Sequence, residues 1–215
     1  AAIRARQLGL QTVVIEKDLV GGTCVHRGCI PAKALLKSAS VASLVKGAAE
    51  FGVTPGDISL DYTTTMGRAR KVVDQNYKGI QFLFKKNNIT VINGFGKLAG
   101  KGAVEVTDKD GKSSRIGAKH IILATGARSR ELPNLKQDGK KIIGYREAMT
   151  LDKQPKSMVV VGSGAIGSEF AYFYHTIGTQ VTLVEFMPNV VPIEDEEVSK
   201  QLERSFKKSG MKVMT

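Results

Sequence analysis

A glycine-rich turn between regular elements is the feature that most constrains the fold of this chain. Residues 157–161 (SMVVV) form a short apolar run, and residues 162–167 (GSGAIG) follow with glycine at the first, third and sixth positions. A helical segment comes next, then an apolar strand over residues 180–184 that ends at Glu185. The glycines alone are a weak signal, but the strand, turn, helix, second strand and acid together predict a Rossmann-like dinucleotide-binding unit.

The three glycines of this turn have separate tasks. Gly162 allows the tight turn, Gly164 lets a pyrophosphate approach the backbone, and Gly167 lets the helix pack closely on the strand. We predict that this turn, including Ile166, binds the dinucleotide at the N-terminus of the helix.

Glu185 is the predicted ribose ligand of this unit. A carboxylate at the end of the second strand accepts hydrogen bonds from the ribose hydroxyls of NAD and repels the extra phosphate of NADP. Phe186, Met187 and Pro188 follow it and supply no arginine for that phosphate. The sequence therefore favours NAD over NADP, with a solvated glutamate at a strand end as the alternative interpretation.

Part of the same unit is repeated at the start of the chain. Residues 8–16 (LGLQTVVIE) align without a gap with residues 177–185 (IGTQVTLVE). In each copy a glycine ends a helix and an acid ends a strand, so Glu16, with Lys17 beside it, is the predicted ribose ligand of a first unit. The turn glycines of this copy would precede residue 1, and we therefore expect the sequence to begin inside a helix of a longer chain.

Both cysteines, Cys24 and Cys29, lie in the segment GGTCVHRGCIPAK. Residues i and i+5 of a regular helix are about 7.5 Å apart in rise, beyond the ~7 Å limit between disulfide-linked Cα atoms, so a bonded pair requires a bend. The local glycines allow one, and Pro31 suits a first helical turn, where a helix N-terminus would stabilise a thiolate at Cys29. A redox-active pair is favoured; a structural disulfide, a metal site and two unrelated buried thiols remain alternatives.

This segment resembles the active-site segment of the pyridine nucleotide-disulfide oxidoreductases, through GGTC, four residues, CIP, one residue and Lys, followed by ALL. The resemblance implies that Cys24 exchanges with the substrate disulfide and that Cys29 faces a flavin. Gly22, Thr23 and Lys33 would then line the flavin site.

The resemblance extends to three other places. Glu169 would pair with Lys33, and this buried lysine would stabilise negative charge that develops on the flavin during reduction, with a surface glutamate as the alternative. Gly96 would lie on the adenine side of FAD, with a turn glycine as an equal alternative. Thr125 and Gly126 resemble the step between the FAD and NAD domains.

Within this family the motif is most similar to members that oxidise dihydrolipoamide. The resemblance then implies FAD and NAD as cofactors, a homodimer, and dihydrolipoamide as substrate, free or on a lipoyl domain of a 2-oxoacid dehydrogenase complex. Glutathione and mercuric reductases are alternatives, although both prefer NADPH. A nucleotide-binding module without catalysis is the alternative of another class. Family members are much longer, so we expect the acid/base pair and dimer interface to lie outside this chain and the chain alone to be inactive.

The predicted fold class is α/β with two Rossmann-like units, both incomplete. Polar segments at residues 138–141 and 152–156 bracket a short element and indicate the change of domain. We therefore place the FAD-binding domain, without its first strand and glycine loop, in residues 1–150 and the first part of the NAD-binding domain in residues 151–215.

Other elements are predicted from periodicity and turn chemistry. Helices are expected over residues 31–49 and 64–86, and strands over residues 90–93 and 119–124. The sequence DKDG at residues 108–111 predicts a hairpin turn.

The 215 residues carry 32 lysines and arginines against 20 acidic residues, a net charge of +12. The basic residues are spread along the chain without a nucleic-acid motif, which favours a solvated basic surface over a nucleic-acid partner. No apolar run is long enough for a membrane span and no metal-ligand pattern is present, so neither a membrane nor a metal is predicted. Cysteines confined to one motif favour a reducing compartment, for which the cytoplasm is predicted, with the matrix of a mitochondrion or plastid as the alternative.

Overall fold

The computed structural model describes all 215 residues. By its contacts the chain divides into two compact units, one of Ala1–His26 with Val73–Arg130 and one of Arg27–Val72 with Glu131–Thr215. The domain boundary predicted near residue 151 does not coincide with a boundary between these two units. The prediction divides the chain by complete dinucleotide-binding domains, whereas the units are defined by contacts within this chain. The domain boundary stays a prediction.

Helices and strands both occur along the chain, as expected for an α/β protein, and they alternate one by one over residues 145–214. In chain order they are α1 (Ala2–Gln7), β1 (Val13–Glu16), α2 (Gly22–Arg27), α3 (Cys29–Lys46), α4 (Tyr62–Lys86), β2 (Thr90–Asn93), β3 (Phe95–Leu98), β4 (Ala103–Thr107), β5 (Ser113–Gly117), α5 (Tyr145–Ala148), β6 (Ser157–Val161), α6 (Ala165–Thr176), β7 (Gln180–Val184), α7 (Glu196–Lys208) and β8 (Lys212–Met214). A short 3-10 helix, Ala48–Phe51, follows α3.

The first unit contains two small sheets. Strands β1 and β2 pair in parallel, and β3, β4 and β5 form an antiparallel sheet in that order. Strand β2 has the predicted bounds, and the predicted hairpin joins β4 to β5 through Gly111 at a φ of +79°. The side chains of Val104 and Val106 are buried on one face of β4, and Ala103 is buried on the other face.

The strand predicted over residues 119–124 is wrong. This segment has no regular structure, and Ile122 and Leu123 are exposed. An apolar strand is stable when neighbouring strands take its backbone hydrogen bonds and packed layers cover its side chains. Within this chain no neighbouring strand pairs with residues 119–124, and no packed layer covers Ile122 and Leu123. The apolar sequence pattern alone therefore gave the wrong result.

The second unit is built around the parallel sheet β6-β7-β8. Helices α3 and α6 share its core, where Leu35, Phe173 and Tyr174 are almost completely buried together with Leu183 of β7. The hydroxyl of Tyr174 donates to the carbonyl oxygen of Ala148 at 2.6 Å, so this large side chain is buried without an unsatisfied polar atom. Strand β8 is the third strand of this sheet and pairs in parallel with β7.

Two helices differ in their limits from the sequence prediction. Helix α3 begins at Cys29, before the predicted start, and ends at Lys46, and α4 begins at Tyr62.

The segment Gly22–Lys46 is long and apolar enough, by length and composition only, to cross a membrane, which corrects the expectation that no such run exists. This signal is weak because core helices of globular proteins pass the same test, and here Gly28 interrupts the segment.

Candidate functional site

The glycine turn of the second unit has the geometry that its sequence predicts. Gly162 follows β6 at a φ of +96°, and Gly164 is the residue from which α6 begins. A Cβ atom at Gly167 would lie 1.9 Å from the carbonyl oxygen of Gly162, so only glycine permits this approach of helix and turn. A Cβ at Gly162 or Gly164 would meet nothing within 4 Å, and Ile166 is exposed. The backbone of the turn is therefore accessible to a ligand at the N-terminus of α6.

Glu185 lies directly after β7 and its carboxylate reaches back to the glycine turn. Its Oε2 accepts hydrogen bonds from the amide and the hydroxyl of Ser163, both at 2.8 Å, and Oε1 accepts from the amide of Met187 at 3.0 Å. Burial acts to raise the pKa of Glu185, but the hydrogen bonds from Met187 and Ser163 outweigh it and hold that pKa below its ordinary value. The carboxylate is therefore ionised at neutral pH, as a ribose ligand should be.

Ser163 is a residue of this site that sequence reasoning missed. Its side chain is completely buried, and its carbonyl oxygen accepts from the hydroxyl of Ser168 at 2.8 Å. The second position of the fingerprint carries no requirement in the motif, so nothing in the sequence distinguished this serine.

In the first unit, Glu16 ends β1 in a similar way. Its Oε1 accepts from the amide of Asp18 at 2.9 Å, and its carbonyl oxygen accepts from the amide of Gly94 at 2.9 Å. The ammonium group of Lys17 lies 5.5 Å from the centre of the Phe95 ring, within reach of a cation–π contact. A Cβ atom at Gly94 would lie 2.7 Å from the carbonyl oxygen of Thr107, so the chain requires glycine there.

Gly96 is not a turn glycine, and that alternative is wrong. It lies within β3 opposite Val106, and a Cβ atom there would come within 3.2 Å of the Ile15 side chain of β1. Close packing of β3 on β1 explains the glycine, and its contact with FAD stays a prediction. Thr125 and Gly126 lie exposed in irregular chain, with Gly126 at a φ of +79°.

The cysteine segment bends where the sequence indicated. Gly28 interrupts the helical path between α2 and α3, and Gly21 and Gly22 have φ angles of +112° and +66°. Cys29 is the first residue of α3, which confirms its predicted place at a helix N-terminus. Cys24 lies in α2, two residues after Gly22 and directly after Thr23.

Both cysteines are exposed thiols, so the alternative of two buried thiols is wrong. The redox disulfide between them stays a prediction.

His26, between the two cysteines, has a positioning contact that the sequence did not reveal. Its Nε2 lies 2.9 Å from the carbonyl oxygen of Val20, and because a carbonyl can only accept, Nε2 carries the hydrogen. The ring also packs edge-to-face on Tyr77, with 5.0 Å between centroids. These contacts hold α2, and with it Cys24, against the preceding loop and against α4.

Lys33 of α3 and Glu169 of α6 form an ion pair, which confirms the predicted pairing. The prediction that the lysine is buried is wrong, since its side chain is 61% exposed and that of Glu169 is 33% exposed. The pair lies at the surface where α3 and α6 meet, and no element of the second unit covers it. Its role beside a flavin stays a prediction.

The whole chain, residues 1–215, matches the sequence model of the pyridine nucleotide-disulphide oxidoreductases. The chain belongs to this family. It is 49% identical over 213 residues to a dihydrolipoyl dehydrogenase of Chlorobaculum tepidum, covering 99% of this chain and 45% of that protein. It is 41% identical over 223 residues to the dihydrolipoyl dehydrogenase of Bacillus subtilis, covering 100% of this chain and 47% of that protein.

A solved structure of the family shares the fold. The crystal structure of LpdA from Mycobacterium tuberculosis superposes with a TM-score of 0.87 at 28% identity, covering 99% of this chain and 47% of that one. The chain thus spans about half the length of the relatives that it matches. Its α/β architecture is that of an FAD- and NAD-binding oxidoreductase, in part.

FAD and NAD are the cofactors of this oxidoreductase family. The second unit fits NAD because its turn backbone is accessible, α6 begins at the turn, and Glu185 is ionised at the strand end. The first unit fits the adenosine end of FAD through Glu16 at the end of β1, while the glycine turn that would hold the FAD pyrophosphate is not among its residues.

Proposed function

We propose that this chain is part of an enzyme that oxidises dihydrolipoamide with NAD through FAD. The observation that carries the proposal is the combination of the cysteine segment with the ion pair between Lys33 and Glu169. That pair joins the helix that starts at Cys29 to the helix that starts at the NAD turn. The identity with dihydrolipoyl dehydrogenases over the full chain supports dihydrolipoamide as the substrate.

The first half of the reaction is thiol–disulfide exchange. A thiolate of dihydrolipoamide attacks Cys24 of the oxidised pair, the bond between Cys24 and Cys29 breaks, and Cys29 leaves as a thiolate. The second substrate thiol then displaces Cys24, so that lipoamide leaves as a cyclic disulfide and the protein retains two electrons in its dithiol. The start of α3 places the positive end of the helix dipole at Cys29, where the leaving thiolate forms.

The second half returns the pair to the disulfide. Two electrons and one proton end on NAD as a hydride, one proton goes to solvent, and Cys24 and Cys29 join again. FAD supplies the two-electron chemistry that connects the dithiol to NAD. The protein positions the groups: Glu185 and the turn from Gly162 to Gly167 hold NAD, and Lys33, kept in place by Glu169, supplies positive charge.

The partners and the compartment are parts of the same proposal. Dihydrolipoamide would be presented free or on a lipoyl domain of a 2-oxoacid dehydrogenase complex, and the full-length protein would be a homodimer. The reducing compartment that suits a dithiol is the cytoplasm or an organelle matrix.

Absorption spectroscopy of the full-length protein tests this proposal. One equivalent of dihydrolipoamide, added without oxygen, should produce the long-wavelength band of a thiolate beside oxidised flavin, and NAD should then restore the oxidised spectrum. Cys29→Ser should abolish both the band and turnover. Cys24→Ser should keep the band, because Cys29 is retained, and should still lose turnover.

Other outcomes contradict the proposal. If the spectrum of a bound flavin does not change when dihydrolipoamide is added, the dithiol takes no part in the reaction. NAD binding without any flavin would instead support a nucleotide-binding module without catalysis.

A further inference from the structure

The carboxylate of Glu185 has little freedom in this structure. A carboxylate offers about four acceptor positions, two on each oxygen. On Oε2, the amide and the hydroxyl of Ser163 take both positions, and on Oε1 the amide of Met187 takes one. The orientation of the group is thus fixed from two sides, and only Oε1, which Ser163 does not contact, is left for a ligand hydroxyl.

Hydrogen bonds from other parts of the second unit fix Ser163 in its position. Its side chain is completely buried, and the amide of Val191 lies 3.2 Å from both its carbonyl oxygen and its hydroxyl oxygen. Ser168 donates to the same carbonyl oxygen. The serine hydroxyl therefore connects the Val191 backbone to the carboxylate, accepting from the first and donating to the second.

The backbone of Val191, whose amide donates to Ser163, is strained. Its φ of +42° lies in the left-handed region, which a β-branched residue rarely adopts. The hydroxyl of Ser199 in α7 donates to its carbonyl oxygen at 3.3 Å. Strained backbone of this kind persists where surrounding contacts determine it and is concentrated at ligand sites.

We propose that Ser163 is a positioning residue that fixes Glu185 and thereby sets the preference for NAD over NADP. The inference rests on the proposed function, in which NAD is the electron acceptor. A clamped carboxylate presents its acceptor position to the ribose hydroxyls and cannot turn away from a 2′-phosphate. Once the clamp is removed, the group can rotate, so that binding of NAD loses preorganisation and repulsion of NADP decreases.

The test is the ratio of kcat/KM for NAD to kcat/KM for NADP in the full-length holoenzyme. Ser163→Ala removes the hydroxyl but keeps the amide, and we expect the ratio to fall about tenfold, mostly through KM for NAD. Thr179→Ala is the matched control, because it removes a buried hydroxyl of the same unit that contacts Pro155 and Gln154 rather than Glu185 or Ser163. The control should change the ratio less than about twofold.

A double-mutant cycle shows whether the serine acts through the carboxylate. In a Glu185→Gln background, Ser163→Ala should change the ratio less than about twofold. An equal loss with both dinucleotides, or an unchanged ratio in Ser163→Ala, would overturn the inference while NAD use by the wild type upholds the proposed function. Failure of the wild type to use NAD would overturn both.

Discussion

The two copies of the repeated segment form the same local structure. Gly9 and Gly178 have φ angles of +85° and +104°, and the amide of each donates to the carbonyl oxygen three residues earlier, at 3.0 Å in both. The acids that end the strands also match. Glu16 and Glu185 each accept, through Oε1, from the amide two residues later, at 2.9 and 3.0 Å.

The copies differ in what covers them. Leu8 is 62% exposed whereas its counterpart Ile177 is 7% exposed, and α1 has no buried residue whereas α6 has several. Short-range geometry therefore follows the local sequence in either setting, while burial depends on elements far along the chain. Four pairs of substitutions test this comparison.

Gly167→Ala should have the largest effect on the second copy. The new Cβ would lie 1.9 Å from the carbonyl oxygen of Gly162, so α6 must move and the turn must open. We expect a loss of about 3 kcal/mol or more in the free energy of unfolding, measured in urea, and loss of NAD binding. Gly164→Ala, whose Cβ meets nothing within 4 Å, should cost less than about 1 kcal/mol. Equal stability of the two variants would contradict the packing task of Gly167.

Leu183→Ala and Val14→Ala compare equivalent strand positions. Leu183 is completely buried, whereas Val14 is half-buried. We expect urea unfolding to show a loss of about 3–4 kcal/mol for Leu183→Ala and about 1 kcal/mol for Val14→Ala, because the cavity term requires surrounding atoms. Similar losses at both positions would mean that the first copy is packed as tightly as the second.

The pH dependence of stability should separate the two acids. The pKa of Glu185 is lowered in the folded state, so its hydrogen bonds stabilise the fold above the ordinary glutamate value of 4.5 and this stabilisation is lost as the pH falls through the folded-state pKa. Glu185→Gln should therefore lower the free energy of unfolding by about 1–2 kcal/mol at neutral pH, and the difference from wild type should shrink in acid. At neutral pH, Glu16→Gln should lower the free energy of unfolding by less, because the hydrogen bond from the Asp18 amide to Glu16 compares with three to Glu185. A Glu185→Gln effect that stays constant with pH would contradict the role of the charge.

Gly9→Ala and Gly178→Ala should give the smallest effects, and equal ones. Both positions need positive φ, which costs an alanine about 1 kcal/mol, and neither Cβ would meet an atom closer than 3.8 Å. Thermal unfolding of the two variants measures this cost. If the two losses in stability differ by more than about 0.5 kcal/mol, alanine is strained unequally at the two positions although their φ angles are similar.

Much of the fold could be predicted because its signals are short-range. Strand β2, the hairpin between β4 and β5 and the turn at Gly162 each depend on residues that are neighbours in sequence. The pairing of Lys33 with Glu169 joins distant residues, and it was predicted only through the resemblance to a family.

What the sequence could not predict depends on tertiary surroundings. The strand over residues 119–124 lacks a neighbour to pair with, and exposure of Lys33 depends on what lies above α3. Gly96 was misread as a possible turn because a glycine required by a packed strand has the same sequence signature. Ser163 carries no pattern at all, since its importance comes from burial.

The contact between α3 and α6 can form only after α6 has been synthesised, long after α3. Lys33 and Glu169 are 136 residues apart, and a ribosome that adds roughly 5–20 residues per second needs about 7–27 s to make the second after the first. During that interval Leu35 and Ala39 have no α6 to pack against, and the two thiols leave the ribosome before their helices are anchored. The nascent chain therefore passes through a stage in which both cysteines are present and the apolar face of α3 lacks the contacts that α6 later provides.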